Sequence, residues 1–460
     1  MKILRIIAAL LAFTSASHAD DPESEVAKSS GPPGGEQFVS LIEHILVPAD
    51  QLDTWMKKNP LSEDASSLRK QARVWIKEKT ARLDHTALST GIAGREFSNS
   101  SIWEQIYATE YIPPKPGEWP IPTAFQSRNL GYSQNGGAEV EDGKMILRSK
   151  MDWYEMILPQ QAWDPLTERT RQPDDVFLPR FRGSRYARPV VDAAGNPLSS
   201  EKKFPIGADQ LRFAPGKTYL VSREANDHTE PPPGEPHHLV RLIFFQGNIL
   251  RRTEPSEDDS VAINHLSIKI IRLPHSVFSA WIQENDLFRI PDLAWAAAMG
   301  WQNQGTTETI GSLTTATHSG SKGIAGAVDE VSYPTEWEPG RLTPATGGKP
   351  AQLEFSEPTA FDTRNVGTST EVEILPDAGG AIVQFEIKRV TESGKSVHQR
   401  IFRDGQWKTD MTMPIFATNH WSSQLRVKRG EWLLVGSGAA TDGKGRLDPQ
   451  HSVLAFIKLD

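Results

Sequence analysis

The chain has no cysteine in its 460 residues. That excludes a disulfide framework, a thiolate metal centre and a lipid-anchored cysteine, so the fold has to rest on core packing. Positive charge is not in excess either: 50 Lys and Arg stand against 58 Asp and Glu, a net charge of −8. The basic residues are scattered, whereas nucleic-acid binding needs a concentrated cationic footprint, so a nucleic-acid partner is excluded. Past the N-terminus no segment reaches the roughly 18 apolar residues of a membrane helix. No Gly-x-Ser-x-Gly elbow is present. Gly320, Gly323 and Gly326 lead into a strand pattern, not into the helix that a dinucleotide loop opens, and read as a hairpin turn. The densest His/Glu run is His228, Glu230, Glu235, His237 and His238, but Pro231-Pro232-Pro233-Gly234 splits it with an extended spacer. It reads as a solvated loop instead of a metal site. The sequence thus names no catalytic residue, no cofactor and no metal ligand.

What is present begins with an export signal. Lys2 and Arg5 supply the positive region, Ile6 to Phe13 the apolar stretch, and Ser17-His18-Ala19 a small-x-small cleavage site. Residues 1–19 are expected to be removed, and the Pro/Gly/Ser-rich 20–35 to act as a flexible linker.

The most informative feature is an internal repeat. Pro122-Thr123-Ala124-Phe125-Gln126-Ser127-Arg128-Asn129-Leu130-Gly131 recurs as Pro358-Thr359-Ala360-Phe361-Asp362-Thr363-Arg364-Asn365-Val366-Gly367, with seven of ten positions identical. Weaker matches keep the same order. Val47-Pro48 to Trp55 answers Leu273-Pro274 to Trp281, an offset of 281 − 55 = 226. Leu178-Pro179-Arg180-Phe181 answers Met413-Pro414-Ile415-Phe416, Pro215-Gly216-Lys217 answers Arg429-Gly430-Glu431, and Pro236 with His238 answers Pro449 with His451. Two homologous domains are expected, 36–249 and 262–460, joined by a charged linker over 250–261 that contains Pro255. In each, a strand (Asn264 to Arg272) precedes two short helices (Val277 to Ile282 and Pro291 to Trp301, matched by Ala65 to Lys79), and period-two segments follow. The expected fold class is α+β: two tandem domains, each a strand plus two short helices followed by mostly antiparallel strands.

The second copy carries a family resemblance. Leu313 to Gly320, Tyr333-Pro334-Thr335-Glu336-Trp337, Phe361 to Gly367 with Glu371-Val372-Glu373, Met413 to Phe416, Arg429-Gly430-Glu431 with Leu433 to Gly436, and Leu454 to Ile457 resemble the C-terminal secretin domain. The likeness is to the version found in type II secretion and type IV pilus secretin-like proteins of planctomycete and verrucomicrobial bacteria, here as a tandem degenerate pair. The family's Val-Pro-x-Leu-Gly-Asp-x-Pro segment is missing, Gly436-Ser437-Gly438 leading instead to a Gly/Asp loop. No long alternating hairpin that could face lipid is visible.

The resemblance implies a non-catalytic, exported binding or scaffold module of the periplasm or outer envelope. Its partners would be envelope proteins or further copies of itself, with a glycan as another candidate. A secreted hydrolase with a cleft between the copies, and a secretin-type channel subunit, are the alternatives. Arg128/Arg364 and Asn129/Asn365 read as a structural turn, with the Arg pairing to a neighbouring loop. Trp103, Trp119, Trp153 and Trp163 are expected to be exposed aromatics. The stretch Gln160 to Arg188, with Arg169, Arg171, Arg180, Arg182, Arg185 and Arg188, is the expected interaction surface.

Overall fold

The computed structural model describes residues 36–60, 64–112, 121–141, 144–157, 180–186, 210–226, 239–250, 264–340, 342–343, 352–377, 380–403, 406–442 and 447–460. The first half contributes β1 (Gln37–Pro48), α1 (Ala49–Met56), α2 (Ser66–Lys77), β2 (Arg82–Ile92), β3 (Glu96–Ile112), β4 (Ile121–Glu141), β5 (Lys144–Ile157), β6 (Arg180–Tyr186), β7 (Gln210–Phe213), β8 (Thr218–Asn226) and β9 (Leu239–Leu250). The second contributes β10 (Asn264–Pro274), α3 (His275–Glu284), α4 (Ile290–Asn303), β11 (Glu308–Thr317), β12 (Lys322–Glu338), the two-residue β13 (Leu342–Thr343) and β14 (Gln352–Leu353), β15 (Glu357–Asp377), β16 (Gly380–Arg403), β17 (Gln406–Val427), β18 (Trp432–Thr441) and β19 (Leu447–Leu459).

The expected α+β pair of tandem domains is not what forms. Strands make up most of the described residues, and both large antiparallel sheets run through both halves. One sheet has the order β11-β10-β19-β18-β2-β1-β9-β8, the other β12-β15-β16-β17-β3-β4-β5-β6 with β7 also on β5. Each is a block of second-half strands joined edge to edge to a block of first-half strands. The physical reason is that strand edges carry unpaired N–H and C=O groups that demand partners. The two edges that meet at the chain's centre satisfy one another instead of ending two separate cores.

The first sheet is the middle layer. On β1, Val39, Leu41, Ile45 and Val47 face the helices, while Phe38 and Ile42 face the second sheet. The second half repeats this with Ile271 and Leu273 toward the helices and Leu266, Ile268 and Ile270 toward the sheet. α2 buries Leu68, Ala72 and Trp75, and α4 buries Ile290, Ala294 and Ala298, both at helical spacing. Pro48 and Pro274 precede α1 and α3 with nearly equal backbone angles, φ −61 and −58, ψ 132 and 131.

The pairing registers of the halves coincide. Ser40 lies opposite Ser89 and Leu266 opposite Thr315, the same offset of 226 on both strands (266 − 40, 315 − 89). The ladder breaks at His44/Ile45 in one half and at Ile270/Ile271 in the other. Ile102 faces Gly131 as Val328 faces Gly367. One detail differs from the sequence matching. Pro48 pairs with Leu239 and Pro274 with His451, so the register sets Leu239, not His238, against His451.

Strands run well beyond their alternating cores. Ala381 to Val390 becomes the 24-residue β16, paired with the 22-residue β17 in a long hairpin. Its outer part, Thr391 to Gln399, is mostly polar and carries no apolar stripe. There the second sheet curls back on itself, with Glu336 of β12 opposite Ala124 of β4. Among the described residues no helix is long and apolar enough to cross a membrane.

Candidate functional site

The seam between the halves gathers a cluster of buried polar residues. β18 and β2 share two ladder positions, Gly436 opposite Ser89 and Ser437 opposite Leu88. Side chains take the backbone groups left over. Asn99 Nδ2 donates to Leu88 O (2.9 Å) and Ser437 O (3.1 Å), and Asn419 Nδ2 to Ala439 O (2.9 Å) and Ser101 Oγ (3.0 Å). The Leu88 N–H donates to Ser437 Oγ (2.9 Å), and Thr90 Oγ1 donates to Val435 O (2.9 Å). All are buried, so each satisfied group avoids a desolvation penalty of about 1–3 kcal/mol. Gly436 and Gly438 let the layers close: an added Cβ would stand 2.3 Å from Trp421 Cδ1 and 2.2 Å from Ser101 Oγ. Nothing local in the sequence marks Asn99 or Asn419. Gly436-Ser437-Gly438 lies within β18.

On the helix side of the seam, Glu43 is 1% exposed and pairs with Arg69 (Nε to Oε2, 2.6 Å) and Arg73 of α2. Burial alone would raise its carboxyl, yet the two guanidinium groups hold it below the ordinary range. Arg73, brought down to about 10 by burial, also donates to Ser279 O of α3 (3.3 Å), tying the helix layers of the two halves together. His275 of α3 is likewise enclosed, its ring 2.7 Å from Thr86 Oγ1 and 3.0 Å from Pro449 O.

On the opposite face of β1, His44 and His85 pack against Trp153 at 4.9 and 5.6 Å and against Tyr132 at 6.0 and 4.6 Å between ring centroids. Arg241 lies 5.0 Å over Trp153 and pairs with Asp84 (3.3 Å) and Glu155. Burial, then His275 and Arg241, push His85 down to about 3, and burial with His85 and Arg241 pushes His44 well below its usual value. Both imidazoles are neutral in the fold but take up protons once unfolded, below about 6.5. Stability is therefore complete above that value and falls as pH drops below it, for His85 over the window from about 6.5 to about 3. Urea midpoints across this window should fall steadily, and His85→Phe should flatten the slope. A midpoint unchanged between pH 7 and 4 would contradict this.

The residues singled out from the sequence are placed differently from one another. Arg364 pairs with Glu104 on β3, in the other half, not with a neighbouring loop. Arg128 lies 5.4 Å over the Tyr154 ring. Gly131 and Gly367 close the repeated motif with φ +110 and +139. Trp103 (9%) and Trp153 (6%) are buried, not exposed, because both fill gaps between the packed layers. Trp119, Trp163, His228, Glu230, Glu235, His237, His238, Arg169, Arg171 and Arg188 lie outside the described residues, whereas Arg180, Arg182 and Arg185 fall on β6. Gly320, φ 74, lies in the turn from β11 to β12, but these strands belong to different sheets and do not pair, so the turn carries the chain from one layer to the other and is not the hairpin expected. Among the described residues no group of three His, Asp or Glu could hold a metal ion.

A Ser/His/acid set does sit at the seam. Ser98 Oγ is 3.4 Å from His420 Nδ1, and His420 Nε2 is 3.2 Å from Glu386 Oε1. Ser98 lies near the start of β3, paired between Asn135 and Ser422, so no strained elbow presents it. The adjoining cavity, lined by Ser98, Asn99, Trp421 and Ser423, has no room for a water molecule. These are not the conditions of acyl transfer, which needs an exposed nucleophile beside free oxyanion donors.

No known protein family and no curated protein matches the chain. Two secretins are among the solved structures that overlap it. One is the InvG secretin-domain β-barrel of the Salmonella SPI-1 injectisome, 11% identical, TM-score 0.21, covering 47% of this chain and 62% of that one. The other is the V. cholerae type IV competence pilus secretin PilQ, 8% identical, TM-score 0.19, covering 93% and 61%. The chain spans less than two thirds of either structure's length, and overlaps this loose carry no argument by themselves.

Proposed function

We propose that the protein is a non-catalytic scaffold of the bacterial envelope, built from two merged repeats of a secretin-type fold and working beside a secretion or pilus apparatus through protein contacts. The observation that carries this reading is the seam. The secretin-like motifs Phe361 to Gly367 and Met413 to Phe416 lie on β15 and β17, the strands that join the second half to β3 through Arg364–Glu104 and the β17–β3 ladder. Sequence motifs that resemble a family of assembling proteins are thus spent on strand-to-strand joining, not on a cleft. The export signal expected over residues 1–19 supports a periplasmic or outer-envelope location. Tagged mature chain recovered from detergent-solubilised envelopes should bring down envelope proteins in stoichiometric amounts. Recovery of the chain alone, under conditions that keep a known envelope complex intact, would overturn the reading.

A secreted hydrolase is the second reading, favoured only by Ser98, His420 and Glu386. It requires that Ser98→Ala abolish an esterase activity present in the purified protein. The scaffold reading expects no such activity to lose.

A further inference from the structure

β12 and β15 pair without a register shift from Lys322–Glu373 to Pro334–Phe361, so alternate residues of both strands share one face over this length. The inner face buries Thr368, Thr370 and Val372, the last in a core shared with the first sheet. The outer face is different. Ile324 (68%), Val328 (45%), Phe361 (61%) and Leu375 (37%) all stand on it, half of the eight large apolar side chains that are exposed among the described residues. Single exposed apolar side chains are ordinary on a protein surface, but four collected on one face of one ribbon mark a place of contact.

The fold does not require these residues. Ile102 faces Gly131 as Val328 faces Gly367, which sets offsets of 328 − 102 = 226 on β12 and 367 − 131 = 236 on β15. Ile324 therefore answers Ser98 and Leu375 answers Glu139, so the repeat forms with a polar residue at either place. Phe361 answers Phe125, whose ring packs on His398 at 4.9 Å, whereas among the described residues no ring lies against Phe361. Charge narrows the occupant. The same face carries Glu330, Glu371 and Glu373 against Lys322, which Glu371 already holds. Among the described residues Glu330 and Glu373 have no cationic partner. Such a surface repels anionic lipid headgroups and repels a second chain of net charge −8. It is complementary to apolar side chains interleaved with Lys or Arg.

We propose that the outer face of β12–β15 holds the protein's envelope partner, and that the partner contributes an extended segment in which apolar and basic side chains alternate. This rests on the scaffold reading and adds the partner's chemistry to it. Ile324 lies opposite Glu371, and Val328 is two positions from Glu330 on the same strand, so apolar and acidic groups succeed one another along the ribbon. From Ile324 to Pro334 the strand extends about 33 Å at roughly 3.3 Å per residue, the reach of roughly ten extended residues of a partner. The apolar side chains supply the buried area of the contact, and the carboxylates select a basic segment over acidic ones.

Fluorescence anisotropy of the purified mature chain with a synthetic peptide of roughly ten residues alternating lysine and valine tests the chemistry with no envelope component present. The peptide should bind at least about tenfold more tightly than its glutamate–valine counterpart, and more weakly as salt screens the carboxylates. Ile324→Ser with Val328→Ser, and separately Glu330→Lys with Glu373→Lys, should each weaken binding by about tenfold or more. Neither pair should move the thermal midpoint, because none of the four side chains is buried. In envelope pull-downs the serine variant should lose the proteins that the unaltered chain recovers. Undiminished recovery by that variant would overturn the proposal and leave the scaffold reading standing, whereas an unaltered chain that recovers nothing would overturn the scaffold reading itself. Peptide binding that the variants do not weaken would also overturn the proposal. So would anionic vesicles that bind in the peptide's place, or a two-chain mass that the serine variant reduces to one.

Discussion

Glu43→Gln is expected to destabilise the protein by about 3–5 kcal/mol, the range for breaking a buried ion pair and leaving its partner charged. The carboxylate is nearly inaccessible and answers two guanidinium groups, Arg69 and Arg73. Glutamine keeps the shape but leaves both cations enclosed without a counter-charge. The second half shows that the position does not require an acid. Its register equivalent is Lys269, which lies 5.3 and 5.5 Å over the rings of Trp295 and Trp432. The loss in Glu43→Gln is therefore one of compensation, not of packing. Denaturant midpoints of the mature chain measure it, and a loss below about 1 kcal/mol would mean that water reaches the arginines.

Gly367→Ala, and independently Gly131→Ala, should each lose about 2–4 kcal/mol, since strain at a positive φ adds to a direct clash. An added Cβ at Gly367 would stand 2.1 Å from Ala327 O and at Gly131 2.4 Å from Ser101 O, with both backbones in the region side chains rarely adopt. The glycines lie in different halves with no shared partner, so the double variant should lose close to the sum. A change under about 0.5 kcal/mol for either would show that the strand relaxes around the methyl group.

These two glycines mark what was legible in the sequence. A repeated Asn-x-Gly keeps glycine where the backbone takes a positive φ against a neighbouring carbonyl, so a local backbone demand wrote itself twice, although the motif runs inside β4 and β15 in unbroken register and not at the turn expected for it. The helices after Pro48 and Pro274 were readable for the same reason, their apolar faces recurring at helical spacing. The outer reaches of β16 and β17 were not, because Thr391 to Gln399 is paired on a polar surface and has no alternation to betray a strand. The joining of the sheets was also invisible. Asn99 and Asn419 take their meaning from carbonyls more than 300 residues away or on the following strand in the other sheet, at Ser437 and Ala439. Arg364 was identified from its retention in both copies, yet its partner Glu104 lies 260 residues away, and no neighbouring residue points to it. His44 and His85 gave no signal, since their equivalents are Ile270 and Gly311, which pack without ionisable groups.

Calorimetry of the intact mature chain tests the shared-sheet architecture most directly. Halves joined through both sheets should unfold in one cooperative transition, and Glu43→Gln in the first half and Gly367→Ala in the second should lower that same midpoint. Two transitions, each moved by only one of the substitutions, would contradict the account and return the chain to a pair of separate domains.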